Sequence, residues 1–138
     1  KGGVVLTKKL MTKGKQNTNR EGKPDPLKEK SFALAIRIVK LYKYLTTEKQ
    51  EYVLSKQLLR CGTNPGAMVR EAKNAESDSD WIHKLCVAQK EAGETQYWLE
   101  LLYATNFLNE EQFRSIFNDV DEVCRLITSS ILTKKQRK

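Results

Sequence analysis

The chain has 138 residues, 39% of them hydrophobic and 30% charged, with a formal net charge of +8. That length holds one domain, no apolar run approaches the roughly 18 residues of a membrane-spanning helix, and Cys61, Cys86 and Cys124 are too few and too far apart for a disulfide framework. The charge is uneven: residues 1–30 hold nine Lys/Arg against three Asp/Glu, residues 134–138 four against none, and residues 31–133 twelve against fourteen.

Residues 1–30 contain few large apolar groups and many Lys, Gly, Asn and Thr. They cannot bury enough surface to offset their ordering entropy and are expected to form a disordered basic leader. The leader lacks the apolar stretch of a signal peptide. Met11 reads as the natural start, with residues 1–10 added upstream.

Lys23-Pro24-Asp25-Pro26 is non-helical punctuation. A first helix is predicted from Leu27 or Ser31 to Leu45. Phe32, Ala35, Ile36, Val39 and Tyr42 recur at three- and four-residue steps, and Leu34, Ile38, Leu41 and Leu45 do the same beside them. Thr46 or Thr47 is the expected cap of a second helix, with Glu48 to Glu51 in its first turn. Gly62-Thr63-Asn64-Pro65-Gly66 interrupts the apolar face begun by Leu54, Leu58 and Cys61, and Met68, Val69 and Ala72 resume it. One long helix over 47–75, kinked at 62–65, fits this pattern better than two separate helices. The two glycines would let another helix approach closely.

A third helix is predicted from Asp80 to Ala104, capped by Ser77, Asp78 or Ser79, with Trp81, Leu85, Ala88, Ala92, Leu99 and Tyr103 in one stripe. Asn109 opens a fourth, which Ile116, Val120, Val123, Ile127 and Ile131 carry to about Thr133. Nothing alternates like a strand. Four helices on short connections predict an all-α, antiparallel up-down bundle over 31–133, followed by a basic tail at 134–138. Each cysteine lies within a helical pattern and is expected to be a small buried apolar group in a reducing compartment.

Helix three offers a second apolar face. At 100° per residue from Trp81, Val87, Trp98 and Leu101 fall at roughly 240°, 260° and 200°. Leu34, Ile38 and Leu41 widen helix one in the same way. A helix apolar over much of its circumference is buried on two sides, so these six residues are the expected contacts of a homo-oligomer.

Chemistry is harder to find. A two-metal site in a helical bundle needs a Glu-x-x-His pair on each of two helices. Asp80-x-x-His83 and Glu91-x-x-Glu94 have the spacing, but His83 is the only histidine. No zinc-ligand spacing, phosphate loop or dinucleotide fingerprint is present. No metal, cofactor or catalytic residue is therefore assigned, and the chain does not read as an enzyme. The basic residues carry what signal remains. Arg37 and Lys40 share a polar face of helix one; Lys56 and Arg60 lie four apart, and Arg70 and Lys73 three apart, on helix two. Repeated around a ring of subunits, such clusters would form a multivalent belt for nucleic acid, helped by Lys134, Lys135 and Arg137 of the tail.

Residues 53–72, VLSKQLLRCGTNPGAMVREA, and 81–102, WIHKLCVAQKEAGETQYWLELL, resemble the signature helices of a small bacterial family, the four-helix-bundle or 23S rRNA intervening-sequence proteins. The accessory variability proteins of diversity-generating retroelements are similar to that family. The resemblance covers roughly residues 31–132 and departs at Cys61, where the family usually has Ser, and at Pro65, where it often has Ile or Val. It implies a cytoplasmic homopentameric ring associated with RNA or DNA, and it transfers no catalytic residue. Arg60, Arg70 and Lys84 match positions that are commonly basic in it. Two functions follow as expectations: a nucleic-acid-binding accessory protein, or a scaffold for a protein partner such as a reverse transcriptase.

Overall fold

The computed structural model describes residues 24–137. The expected leader falls outside the described residues as far as residue 23, as does Lys138. Four helices follow one another: α1 (Pro26–Thr47), α2 (Leu54–Ala72), α3 (Asp78–Ala104) and α4 (Glu110–Gln136). Among the described residues there is no strand, and no helix is long and apolar enough to cross a membrane.

Local chemistry sets most of the boundaries. The Asp25 carboxylate accepts the Lys28 N–H at 3.1 Å, and Pro26 occupies the first helical position, where its missing N–H costs nothing. Residues 26–30 therefore belong to the helical body and not to the leader. Thr46 and Thr47 do not cap α2. Their hydroxyls donate back to the Tyr42 and Lys43 carbonyls within α1, at 3.0 and 2.7 Å. The chain turns at Gln50, whose φ is 53°, and Glu51 then supplies the cap. Ser77 starts α3 by accepting the Asp80 N–H at 3.1 Å. Asn109 and Gln112 form a reciprocal capping box at 2.8 and 2.9 Å on α4. Between them Asn106, at φ 69°, ends α3 while the Phe107 N–H closes on the Leu102 carbonyl at 2.9 Å. α2 runs through Pro65 as one helix but occupies only 54–72 of the 47–75 expected.

α1 packs on α2 and α4, and α3 packs on α2 and α4, so the four helices close a circuit. Leu34, Ile38 and Leu45 of α1, Leu58 and Cys61 of α2, Leu85, Leu99 and Leu102 of α3, and Val120, Val123 and Ile127 of α4 are buried within it. This exchanges the two expected faces of α1. Leu34 and Ile38 lie inside the core and are not available as subunit contacts, while Phe32 and Val39 face outward. α2 supplies the reason. A Cβ on Gly62 would stand 2.7 Å from Ile38 Cγ1, and one on Gly66 would stand 3.2 Å from the Ser31 carbonyl oxygen. The α2 backbone fills the space beside the Ser31–Ile38 stripe, as expected of two glycines one turn apart.

Of the cysteines only Cys61 is fully buried. Cys124 is half-buried, and Cys86 is exposed, contrary to the expectation for all three. Burial pushes the Cys61 and Cys124 thiols up, away from thiolate chemistry.

Candidate functional site

Among the described residues no group of three or more His, Cys, Asp and Glu could hold a metal ion, and His83 is exposed. The basic residues singled out from the sequence are scattered, and half of them are occupied. Arg37 reaches across to α4, pairing with Asp119 at 2.6 Å and donating to the Ser115 hydroxyl at 3.0 Å. Arg60 meets Glu91 at 3.5 Å and Glu94 at 3.3 Å on α3. Lys84 meets Glu71 at 3.1 Å, and Lys73 meets Asp25 at 3.2 Å. Lys134 lies 3.7 Å from Asp78 and 4.7 Å from the centre of the Trp81 ring. These contacts lie along the seams between helices. Each is solvent-accessible and contributes little to stability, but each neutralises a cation the belt would have used. Lys40, Lys56, Lys135 and Arg137 are exposed. They stand on α1, α2 and the end of α4.

One place does gather cations. The N-terminal half of α1 and the C-terminal half of α2 bound a surface groove of about 430 Å³, with Lys28 and Phe32 on one wall and Arg70, Glu71 and Asn74 on the other. Gly66, pressed against the α1 backbone at Ser31, lies between the walls. The Phe32 ring is 48% exposed, and the Arg70 guanidinium carbon lies 5.7 Å from its centroid, within cation–π range. Partial burial first, then the neighbouring charges of Lys73 and Arg70, hold the Lys28 ammonium below its ordinary range. Two carboxylates stand nearby, and both are engaged. Asp25 caps α1 and pairs with Lys73, and Glu71 pairs with Lys84. The groove is therefore lined by Lys28 and Arg70 beside a half-exposed aromatic face, with Glu71 held by Lys84.

Arg70 and Lys73 were legible in the sequence as a pair. Lys28 and Phe32 were missed, the first assigned to the leader and the second to the core. Asp25-Pro26 was the available signal. Read as a cap and a first helical residue, it starts α1 early enough to place Lys28, Phe32, Ala35 and Val39 along one flank at helical spacing.

The remaining expected oligomer contacts lie on the rim. Leu41 of α1 and Trp98 of α3 pack partly against the core, and Val87 and Leu101 are half-buried. The Trp98 ring meets Tyr97 edge-on at 5.0 Å, and Tyr97 is 57% exposed. This end of α3 carries apolar surface that the four helices leave partly open.

Comparison with known proteins places these observations. The 23S rRNA-intervening sequence protein family matches residues 26–129. A solved structure from Bacteroides thetaiotaomicron, a protein of unknown function from the S23 ribosomal protein family, is 52% identical. It superposes with a TM-score of 0.76 and covers 76% of this chain and 94% of its own. No functionally curated protein matches. Neither match bears on the accessory proteins of retroelements.

Proposed function

The chain belongs to the 23S rRNA-intervening sequence protein family, and from that premise we propose a non-catalytic, homo-oligomeric accessory protein that associates with RNA or DNA through basic residues of its folded body. The observation that carries this is the groove that brings Lys28 and Arg70 beside the half-exposed ring of Phe32. A phosphate entering there relieves the repulsion among the cations and releases counterions from the nucleic acid. Such contacts position a backbone without reading its sequence. Exposed Lys40, Lys56, Lys135 and Arg137 add long-range attraction. Arg37, Arg60, Lys73, Lys84 and Lys134 take part only by exchanging carboxylates for phosphates.

In this account the four helices run antiparallel, in keeping with their short connections, and copies assemble in the cytoplasm as a pentameric ring. With Leu34 and Ile38 withdrawn to the core, assembly rests on Val87, Trp98 and Leu101 with the edge of Leu41. A ring repeats the groove once per subunit, so weak single contacts add up.

The pairing of five of the ten candidate cations with carboxylates favours a second reading. The body would then be an oligomeric scaffold for a protein partner such as a reverse transcriptase. Filter binding of a structured RNA against salt separates the two, comparing the full chain with residues 24–137. The cut belongs before Pro24, because removal up to residue 30 would take away the Asp25 cap and the first turn of α1. A steep salt slope kept by residues 24–137 supports binding by the body. Affinity that leaves with residues 1–23 supports the scaffold.

A further inference from the structure

We infer that the groove between α1 and α2 receives an unpaired base of a single-stranded nucleic-acid segment, stacked on the open part of the Phe32 ring beside the Arg70 guanidinium, while Lys28 faces a flanking phosphate. The inference rests on the nucleic-acid reading above and narrows it from any polyanion to single strands.

Three features point to a base. First, Phe32 leaves nearly half its surface in water at 48% exposure, although Leu34 and Ile38 on the same helix are fully inside. Its ring is the apolar part of the groove that the fold itself does not cover. Second, the cation beside the ring is an arginine, 5.7 Å from the centroid. A guanidinium is planar and stacks on a nucleobase as readily as on a phenyl ring, so a base laid on the open part of the Phe32 ring would have the Arg70 cation beside it. Third, the walls supply what surrounds a base in a strand. Lys28 lines one wall, and Asn74 brings a side-chain amide to the other with a donor and an acceptor for a base edge. Glu71 is the carboxylate on that wall, and Lys84 holds it at 3.1 Å. A purely electrostatic site would have no use for the ring, and an apolar docking site would have no use for Lys28 and Arg70. A base between phosphates uses both.

Duplexes are disfavoured for a simple reason. Their bases are already stacked and paired, so only backbone could reach Phe32, and the ring would gain nothing. Stacking is sequence-tolerant because every base has a π-face, so a preference for strandedness without a strong preference for sequence is expected.

The test uses the full chain and fluorescence anisotropy with a labelled oligoribonucleotide of about 12 nucleotides, single-stranded and annealed to its complement. Phe32→Ala is expected to weaken single-strand binding about tenfold and to leave duplex binding within about twofold, with an unchanged salt slope. Phe32→Trp is expected to keep the single-strand affinity, and Phe32→Leu, which retains bulk without a ring face, to lose it. Circular dichroism and light scattering accompany each variant. Single-strand affinity indifferent to Phe32→Ala, or an equal loss on duplex, overturns the inference while leaving the basic-contact reading standing. A fall in solution mass on Phe32→Ala overturns it as well, since a second copy of the chain then occupies the groove. Wild-type protein that binds neither probe overturns both the inference and the reading beneath it.

Discussion

Glu51 is the residue on which the α1–α2 connection turns. Its carboxylate accepts the N–H groups of Val53, Leu54 and Ser55 at 3.1, 2.9 and 2.6 Å, and the Ser55 hydroxyl returns a bond to the Glu51 carbonyl at 2.8 Å. Burial alone would push this carboxyl up, but the three N–H donors outweigh it and leave the group below its ordinary range. With the folded value below the unfolded one, the cap stabilises fully above the unfolded value of about 4.3 and is lost as pH falls through the folded value. Glu51→Gln keeps the shape and removes the charge. It is expected to cost about 1–2 kcal/mol at neutral pH, with the deficit shrinking at about pH 3. Denaturant unfolding at both pH values checks this, and an equal deficit at both would contradict it. In the sequence Glu51 reads, with Glu48, as an acid in the first turn of the second helix. Its true place depends on Gln50 taking a positive φ, which no propensity for Gln foretells.

At the scale of elements, the α1–α2 contact decides which face of α1 is inside. Ile38 is fully buried, and a methyl on Gly62 would meet three of its side-chain carbons at 2.7 to 2.9 Å. Gly62→Ala is therefore expected to destabilise by about 1–3 kcal/mol, and to cost much less when Ile38 is already Ala. A double-mutant cycle by denaturant unfolding measures that coupling, and strict additivity would show that the close approach is not the cause. Gly93→Ala is the internal control. Nothing lies within 4 Å of that position, so it is expected to gain up to about 1 kcal/mol from helix propensity. The same contrast explains what the sequence could reveal. α3 and the start of α4 were readable to within two residues because Ser77, Asn109 and the buried stripes beside them are local signals, whereas α4 runs past the expected end at Thr133 and takes Lys134, Lys135 and Gln136 of the expected tail into the helix. The faces of α1 were not, since two apolar stripes lie side by side and the choice between them is made by glycines of another helix. That choice also set Phe32 free, so the groove became visible only once α1 and α2 were packed.

The molecule as a whole divides its charge between ends and seams. Its net charge of +8 suggests a basic surface, yet Arg37, Arg60, Lys73 and Lys84 are tied to carboxylates across helix pairs, while Lys28 and Arg70 line an open cleft beside Phe32. Composition could show the surplus but not this arrangement, which depends on the register of α2 against α1. Assembly is tested by Trp98→Ala, expected to lower the solution mass by light scattering while leaving the helical circular dichroism in place. Loss of helix at unchanged mass would mean that Trp98 serves only its own subunit. The central claim, that the folded body itself holds nucleic acid at the groove, is tested most directly by the salt dependence of RNA binding in the full chain and its Lys28→Gln, Arg70→Gln double variant. The account predicts weaker binding and a log–log slope shallower by about two. An affinity and slope identical to those of the wild type would contradict it.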